Sequence, residues 1–332
     1  METSVVSVII LNYNGRPFLG SCLRSVLGSR YAEYEIMVVD NASVDGSIEY
    51  MEQEFSKFDR LRIVRLKKNY GFAVGNNMGY ENINPRSKYV VFLNNDTEVE
   101  PDWLHNLVEK MDSDPLIGAA QPKIRCLTDR TVINTVGGEI DYYGRATHIG
   151  TGEIDHGQYD SITEIFYAEG AAIALRKEVL EKVGLFDALF FTYYEETDLC
   201  WRIWLAGYKV VLISNAIVYH LGGATISREA KKNLHKAAEL TIYNSRRNQL
   251  IMMLKNYSAA NIVRYVIPFT IRIFAVALMR LVENKGIESL AYLRALWSIL
   301  VDSPQIVRSR RHVQKDIREL PDVAVMRLMK MS

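Results

Sequence analysis

Residues 89–97 read YVVFLNNDT, an apolar run that ends in four polar residues. A continuous apolar run of this length is typical of a strand buried on both faces of a parallel sheet. Open α/β sheets build ligand sites at the carboxyl ends of such strands, so Asp96 is a candidate site residue. The polar residues could instead form a turn and helix cap before Pro101, because short polar side chains satisfy free backbone N–H groups.

The sequence around this strand alternates β-branched runs with amphipathic stretches. We predict strands at 7–11, 34–40, 61–66 and 89–94, and helices at 17–27, 47–55 and 72–81. This pattern predicts an α/β fold with a mostly parallel central sheet flanked by helices. Polar loops at 12–15, 40–43 and 94–97 follow three of the strands, and we expect them to converge on one edge of the sheet. Later in the chain we predict hairpins at 137–152 and strands at 165–175, 208–213 and 216–220.

Gly71, Gly75 and Gly79 recur every fourth residue, on one face of a predicted helix. Close packing of that helix on the sheet explains the spacing, and so does direct contact with a ligand. The loop after the first strand, NYNG, lacks the G-x-G-x-x-G pattern, and the chain contains no G-x-x-x-x-G-K-[ST]. These absences argue against an NAD enzyme and against a P-loop kinase.

An acidic cluster of Glu195, Glu196 and Asp198 opens a predicted helix that ends at Gly207. Acidic residues in a first helical turn stabilise the helix dipole, which is the structural interpretation. The functional interpretation is that one of them is a general base, its pKa raised by its acidic neighbours and by the aromatic residues 190–194.

His220 ends a predicted apolar strand. It could be a hydrogen-bonded structural residue, or it could share a divalent ion with Asp96 from a second strand. A mixed oxygen and nitrogen ligand set suits Mg²⁺ or Mn²⁺, with phosphate oxygens completing the coordination.

Bulk composition suggests one large domain with an appendage. The chain has 332 residues, 48% of them hydrophobic, and residues 227–332 contain 19 Lys and Arg against 8 Asp and Glu, whereas residues 1–226 contain 21 against 31. We therefore expect the basic part to face an anionic surface.

The N-terminus lacks the features of a signal peptide, and Cys22, Cys126 and Cys200 fit neither a disulfide framework nor a zinc motif, which predicts a cytoplasmic protein.

Long helices are predicted after residue 230, at 234–254, 262–282 and 287–300. The longest uninterrupted apolar run in the second is Ile273 to Met279, well below the roughly 18 to 20 residues that cross a bilayer. Arginines mixed with apolar residues favour helices that lie on an anionic membrane surface. A soluble helical cap or a homodimer interface is the alternative. We expect no nucleic acid partner, because the basic segment lacks a recognised motif.

Several motifs occur in an order that resembles the family 2 glycosyltransferases of the GT-A fold, particularly the rhamnosyltransferase-like members of cell-envelope polysaccharide synthesis. The resemblance covers about residues 5–225 and rests on VSVIILNYN (6–14), VVDNAS (38–43), NYGFAVGNNMG (69–79), LNNDT (93–97), EGAAIALR (169–176), VGLFD (183–187), YEETDLCWR (194–202) and VYH (218–220). It implies a glycosyltransferase domain at 1–226 and a basic amphipathic helical region at 227–332 that associates with membrane.

The resemblance also implies a role for each matching residue. Glu196 would be the catalytic base, and Asp96 and His220 would bind Mg²⁺ or Mn²⁺. The donor nucleotide would contact Leu11, Tyr13, Asp40, Asn69, Gly71, Asn76, Asn94 and Asn95. The acceptor side would contain Gly170, Ala171, Glu195 and Asp198. Asn94 departs from the family pattern by replacing the first Asp of D-x-D, which lowers the negative charge of the metal site.

The activity implied is inverting transfer of a sugar from a UDP- or dTDP-sugar to a hydroxyl of a polyprenyl-linked or growing glycan acceptor, at the inner face of the cell membrane. A divalent cation stabilises the departing pyrophosphate, and one carboxylate suffices to take the proton of the acceptor hydroxyl. A sugar nucleotidyltransferase and a non-catalytic glycan-binding protein of the same fold are the alternatives. The first would require a basic, glycine-rich loop after the first strand, and the second would be favoured by loss of Asp96, Glu196 or His220.

Overall fold

The computed structural model of the protein describes residues 4–222 and 234–330. The expected domain boundary between residues 226 and 227 lies outside these ranges. The strands of the described chain are β1 (Val6–Asn12), β2 (Tyr34–Asp40), β3 (Leu61–Arg65), β4 (Tyr89–Asn94), β5 (Thr97–Val99), β6 (Ile117–Cys126), β7 (Ile133–Thr135), β8 (Gly138–Ile140), β9 (Ala146–His148), β10 (Ala172–Arg176) and β11 (Lys209–His220).

Helices cover both faces of the sheet and form the C-terminal region. They are α1 (Arg16–Leu27), α2 (Ser47–Phe55), α3 (Gly71–Tyr80), α4 (Trp103–Ser113), α5 (Lys177–Val183), α6 (Glu195–Leu205), α7 (Leu234–Asn256), α8 (Ala259–Val282), α9 (Gly286–Val301), α10 (Ser303–His312) and α11 (Asp322–Met326). A π-helical turn occupies Ile262–Val266 within α8, and another, Val313–Ile317, follows α10.

The central sheet has the strand order β3-β2-β1-β4-β10-β6-β11-β5, with β7 paired to β6. β1 pairs in parallel with β2 and β4, and β2 in parallel with β3, as the βα pattern predicts. The other half is mixed, because β10 runs antiparallel to both β4 and β6, and β5 antiparallel to β11. The protein is therefore a mixed α/β fold whose parallel half carries the three predicted polar loops.

Two hydrophobic cores lie on opposite faces of the sheet. Successive strand residues point to opposite faces, so Val8 and Ile10 enter one core while Ile9 enters the other. The first core contains α1, α2 and α4, and the second contains α3, α5, α6 and α7. Trp201 of α6 and Tyr257, directly after α7, meet edge to face with ring centroids 4.8 Å apart. The basic C-terminal region therefore shares its core with the sheet domain.

The later strands differ in detail from the sequence prediction. The predicted hairpin is confirmed as β8 and β9. The strand expected at 165–175 is reduced to β10, because the chain before it switches partners, with isolated bridges from Glu164 to Val211 and from Tyr167 to Gly138. The two strands expected at 208–220 are one strand, β11, whose pairing with β6 shifts register between Ile213 and Ile217.

Two of the periodic glycines allow α3 to lie close to the sheet. A Cβ on Gly79 would lie 2.7 Å from methyl groups of both Ile9 and Val39, and one on Gly75 would lie 2.7 Å from the Leu11 side chain. At these distances the neighbouring side chains would have to move to make room for any larger residue. Helix packing therefore explains Gly75 and Gly79.

The C-terminal helices α8 and α9 pack against each other and expose apolar side chains. Among the described residues one helix, α8, is long and apolar enough to cross a membrane by length and composition alone. Its buried stripe includes Tyr265 and Phe269, whose rings meet those of Tyr142 and Tyr143 beside the β8–β9 hairpin. One face of α8 is thus attached to the protein and the opposite face is open.

Candidate active site

A chain of side-chain amides joins the three polar loops. The Nδ2 of Asn12 donates to Oδ1 of Asp40 and to Oγ of Ser43, both at 3.0 Å. Asn95 in turn donates from Nδ2 to Oδ1 of Asn12 at 2.7 Å. The loops after β1, β2 and β4 therefore converge on one edge of the sheet, as the sequence predicts. Asn95 is buried and contributes to this connection.

Asp40 lies at the bottom of the converging loops and is only 2% exposed. Its Oδ1 accepts from Asn12 and its Oδ2 accepts from the backbone N–H of Ser43 at 3.0 Å. Each carboxylate oxygen can accept a second hydrogen bond. The contact with a nucleotide base remains a prediction for this residue.

A second amide cluster fixes the start of α3 against the β2 loop. Asn41 donates from Nδ2 to Oδ1 of Asn69 at 3.0 Å and to the carbonyl of Gly71 at 3.1 Å, while Asn69 Oδ1 also accepts from the N–H of Gly71. Gly71 needs to be glycine, because its φ is +79° and a Cβ would lie 2.6 Å from the Phe191 ring. Asn76 is buried and donates to the carbonyl of Phe72. These contacts fix residues 69–76, which we call the donor rim, beside the sheet edge.

Leu11 lies near the end of β1, Tyr13 directly follows that strand, and both are partly exposed. The Leu11 side chain lies against Gly75 of α3, which places it between the helix and the sheet. Both residues therefore lie where β1 meets the first polar loop.

Asp96 and His220 come together from distant parts of the chain. Antiparallel pairing of β5 with β11 sets His220 opposite Thr97, and Nε2 of His220 lies 3.4 Å from Oδ1 of Asp96. Nδ1 of His220 lies 3.3 Å from Oδ1 of Asn134, which orients the imidazole ring. Burial alone would lower the pKa of His220, but the hydrogen bond to Asp96 and the charges of Glu169 and Asp96 raise it above its usual value.

The donor set of this pair suits a hard divalent cation. Asp96 offers a carboxylate oxygen and His220 an imidazole nitrogen, with Asn134 as an outer partner of the ring. Across residues 4–222 and 234–330, no three His, Cys, Asp or Glu side chains group closely enough to hold a metal by themselves. Mg²⁺ is commonly bound by one or two carboxylates together with substrate phosphates, so a two-residue site fits an ion that arrives with a pyrophosphate.

Asn94, Gly170 and Ala171 lie side by side at the end of β4. The N–H of Asn94 donates to the carbonyl of Ala171 at 2.9 Å. A Cβ on Gly170 would lie 3.2 Å from the Phe72 ring, which belongs to α3. The segment that the sequence assigns to the acceptor side is therefore in contact with two donor-side elements.

Glu195 and Glu196 occupy the first turn of α6 in a largely apolar setting. Burial raises the pKa of Glu196 to about 7, an effect that the charge of Glu169 increases and that hydrogen bonds to its own N–H and to Thr197 oppose. Burial and the charge of Glu196 raise the pKa of Glu195 well above the ordinary range. With a pKa near neutrality, Glu196 can accept or release a proton at physiological pH.

Glu169 is a candidate that sequence reasoning did not assign. Its Oε2 is buried and has no hydrogen-bond partner within the described chain, and its N–H donates to Oε1 of Gln121 at 2.7 Å. The Glu169 charge raises the pKa of both Glu196 and His220, so this carboxylate acts electrostatically on both candidate residues. Glu169 is the first residue of the EGAA motif, in which the sequence assigns a role only to Gly170 and Ala171.

Asp198 does not face an acceptor, which corrects the sequence expectation. Its side chain is fully buried and bonded on both oxygens. Oδ2 accepts from Arg202 at 3.0 Å and from Lys255 at 2.9 Å, and Oδ1 accepts from Asn256 at 2.9 Å. A carboxylate enclosed by these donors cannot touch an acceptor, so its role is to hold α6 in place.

Several proteins similar to this chain are named glycosyltransferases. A family model described as glycosyl transferase family 2 matches residues 7–184. The chain is 34% identical over 107 residues to the putative teichuronic acid biosynthesis glycosyltransferase TuaG of Bacillus subtilis (strain 168), covering 32% of this chain and 42% of that protein. It is 26% identical over 221 residues to a poly-beta-1,6-N-acetyl-D-glucosamine synthase of Staphylococcus epidermidis, covering 67% and 51%. The chain thus spans only 25% to 51% of the first curated relatives.

Solved structures show the same fold at low sequence identity. The mannosyltransferase PcManGT of Pyrobaculum calidifontis, in complex with GDP-Man and Mn²⁺, matches with a TM-score of 0.56 and 15% identity, covering 98% of this chain and 84% of that one. GalNAc-T7 with UDP, GalNAc and Mn²⁺ matches with a TM-score of 0.54 and 19% identity, covering 65% and 43%. With the family model matching more than half of its length, the chain belongs to glycosyl transferase family 2.

Proposed function

We propose that this protein is an inverting, metal-dependent glycosyltransferase that moves a sugar from a UDP- or dTDP-sugar to a hydroxyl of a lipid-linked or growing glycan. The observation that carries the proposal is the approach of Nε2 of His220 to within 3.4 Å of Oδ1 of Asp96, next to Asn95, whose side chain bonds the loop of Asn12 and Asp40. Solved relatives of the fold carry UDP or GDP-Man together with Mn²⁺, which supports a nucleotide-sugar donor.

The donor half is formed by the converging loops. We assign nucleotide contacts to Leu11, Tyr13, Asp40, Asn69, Gly71, Asn76, Asn94 and Asn95. Of these, Asn76 and Asn95 act by holding the rim and the loops through their internal hydrogen bonds. A divalent ion held by Asp96 and His220 would supply positive charge against the pyrophosphate as the glycosidic bond breaks. The amide network keeps these loops fixed before the donor arrives.

The acceptor half centres on Glu196. A carboxyl with a pKa of about 7 is ionised in a large fraction of molecules at neutral pH and can take the proton of an acceptor hydroxyl. Direct attack by that hydroxyl on the face opposite the leaving nucleotide inverts the anomeric centre, and it needs one base. Gly170 and Ala171 line the boundary between donor and acceptor, and Glu195 lies beside the base on the acceptor side, with its own pKa raised by burial.

We place the reaction on the inner face of the cell membrane, in cell-envelope polysaccharide synthesis of the rhamnosyltransferase-like branch. TuaG and the poly-beta-1,6-N-acetyl-D-glucosamine synthase, named for envelope polymers, support this. The exposed faces of α8 and α9 support membrane contact. They present Val263, Ile267, Ile271, Phe274, Leu278, Leu281, Leu290, Leu293, Trp297 and Leu300. A homodimer through these helices is the alternative use of the same surface.

A donor screen tests the proposed activity. The full chain is incubated with UDP-, dTDP- and GDP-sugars and Mg²⁺ or Mn²⁺, and the release of nucleoside diphosphate is measured with and without a glycan acceptor. We expect one donor to be consumed, and we expect Asp96→Ala and Glu196→Gln to lower transfer by at least about a thousandfold. Glu178→Gln, an exposed carboxyl on α5, is the matched control and should retain activity.

Near-normal transfer by either site variant would refute the assignment of that residue. Release of pyrophosphate from a sugar phosphate and a nucleoside triphosphate would instead identify a nucleotidyltransferase. Glycan binding with no turnover of any donor would favour the non-catalytic alternative.

A further inference from the structure

The C-terminal helix α7 holds the loop that leads into the acidic turn of α6. We define the aromatic loop as residues 187–194. Asn248 of α7 is completely buried, and its Nδ2 donates to the carbonyls of Thr192 at 2.8 Å and Tyr193 at 2.9 Å. Arg247 donates from Nη1 to the carbonyl of Leu189 at 2.7 Å. One helical turn of the C-terminal region therefore binds three carbonyls of this loop.

The backbone at the end of the aromatic loop requires such support. Tyr193 and Tyr194 both have a φ of 71°, in the left-handed region that side chains other than glycine rarely occupy. These two residues directly precede Glu195 and Glu196, so their conformation sets the direction in which α6 begins. Asn248 bonds the carbonyl of Tyr193 and that of the residue before it, which stabilises this conformation.

Buried charges attach the same segment to α7 at a second point. Nζ of Lys255 lies 2.5 Å from Oδ2 of Asp187 and 2.9 Å from Oδ2 of Asp198. Burial alone would raise the pKa of Asp187, but the charge and hydrogen bond of Lys255 hold it at about 2. Asp187 begins the aromatic loop and Asp198 lies one turn into α6. Residues on both sides of Glu196 are thus fixed to one helix.

The opposite side of the aromatic loop contacts the donor rim. The N–H of Phe72 donates to the carbonyl of Phe191 at 3.0 Å, and the Phe191 ring lies against Gly71. The loop is therefore held between α3, which borders the donor loops, and α7. Movement away from α7 would move the base relative to the donor.

We propose that Asn248 is a positioning residue, through which the basic C-terminal region keeps the Glu196 carboxyl in reach of the acceptor hydroxyl. This inference rests on the proposed function for its catalytic consequence. Its structural part, that α7 immobilises the aromatic loop, can be tested with no substrate present.

The matched pair of variants is Asn248→Leu and Gln314→Leu in the full chain. Both remove an amide that donates to two backbone carbonyls, but Gln314 bonds those of Lys255 and Asn256 at the end of α7, and its loss leaves the Lys255 side chain paired with Asp187. By hydrogen exchange, we expect Asn248→Leu to speed exchange in residues 187–194 by about tenfold or more, because two hydrogen bonds are lost. Gln314→Leu should leave exchange in that loop unchanged. Equal loop exchange in the two variants would overturn the inference.

Kinetics separate positioning from general stability. With the donor found in the screen, Asn248→Leu should lower kcat about tenfold or more while the donor KM stays within about twofold, because the donor loops do not contact Asn248. An unchanged kcat, or equal losses in both variants, would contradict the proposal. If no donor is turned over by the unmodified chain, the proposed function fails, and the exchange experiment still decides whether α7 holds the loop.

A second variant covers the case in which Asn248→Leu does not fold. Arg247→Met removes the hydrogen bonds of this partly exposed side chain to the carbonyl of Leu189 and to Oδ1 of Asn248, together with its ion pair to Asp302, and leaves the donating Asn248 amide in place. We expect faster exchange around residue 189 and a smaller fall in kcat, of about threefold. Wild-type exchange and kcat in this variant would overturn the inference.

Discussion

Glu196 shows how burial can outweigh the position of a residue in a helix. A carboxylate in the first turn of a helix is stabilised by the helix dipole, which lowers its pKa. Here removal from water and the charge of Glu169 act in the opposite direction, and the pKa of Glu196 reaches about 7. Glu195, one residue earlier, is buried more deeply, and burial and the charge of Glu196 raise its pKa well above the ordinary range. Burial therefore raises the pKa of both adjacent carboxyls against the effect of the helix dipole.

The pH dependence of sugar transfer follows from this pKa. The base acts in its ionised form, so kcat should rise with pH and level off above about 7. Removing the Glu169 charge favours ionisation of Glu196, so Glu169→Gln should move the midpoint of the rise to lower pH. The profiles are measured with saturating donor from about pH 5 to about pH 9. If kcat of the unmodified protein did not change with pH over this range, Glu196 would not be the base.

Asn94 lowers the negative charge of the proposed metal site. With a neutral amide at the first position, Asp96 is the only carboxylate that the LNNDT stretch contributes. His220 would supply the second protein donor, and Asn134 orients its ring. The proposed site therefore depends on a pairing of β5 with β11 across more than a hundred residues of sequence.

Helix α3 depends on a glycine for its distance from the sheet. In Gly79→Ala, the added methyl group would lie 2.7 Å from carbon atoms of Ile9 and Val39, so both side chains must move. We expect a loss of about 1 to 3 kcal/mol in the free energy of unfolding, as for overpacked cores. Urea denaturation measures it. Gly28→Ala is the control, since the nearest atoms there are 3.4 Å away and its φ is −79°; a Gly79→Ala variant as stable as this control would contradict the packing explanation.

Elements with a strong local pattern could be predicted from the sequence. The first four strands, α1 to α3 and the convergence of the polar loops all follow from hydrophobic periodicity and from the geometry of βα units. β10 could not be predicted in its length or direction, because its partners β4 and β6 are set by long-range pairing. The prediction of one strand at 165–175 was wrong in its first half for the same reason. That part of the chain pairs partly with β11 and partly with β8.

The candidate site was predictable where one short segment carries the signal. The residues at the ends of β1, β2 and β4 lie together because parallel strands end at the same edge. Asp198 was misplaced because its partners Lys255 and Asn256 lie more than fifty residues away, on a helix whose docking no local pattern reveals. Glu169 was missed because its signal is a buried Oε2 with no hydrogen-bond partner in the described part of the chain, which is a property of the folded protein.

At the scale of the whole molecule, the acidic and basic parts of the chain are joined by their charges. Lys255 and Arg247 of the basic region bind Asp187 and the carbonyl of Leu189 in the acidic region. Arg247 also lies 2.7 Å from Asp302, which follows α9. The exposed helices α8 and α9 are therefore connected through α7 to the aromatic loop. A surface that binds membrane through α8 and α9 would hold the acceptor half of the site close to the bilayer.

Membrane binding by that surface can be tested on the full chain. Phe274 and Trp297 are 49% and 66% exposed, and burying two such side chains in lipid contributes about 1.5 to 3 kcal/mol each. The unmodified protein should co-sediment with phosphatidylglycerol vesicles, less so at high salt because Arg264 and Arg272 are exposed cations. Phe274→Ser with Trp297→Ser should weaken binding by more than about tenfold. Leu116→Ser, at 49% exposure on a different surface, should not. Failure of the unmodified chain to bind, with a monomer produced by the double variant, would identify the surface as a dimer interface instead.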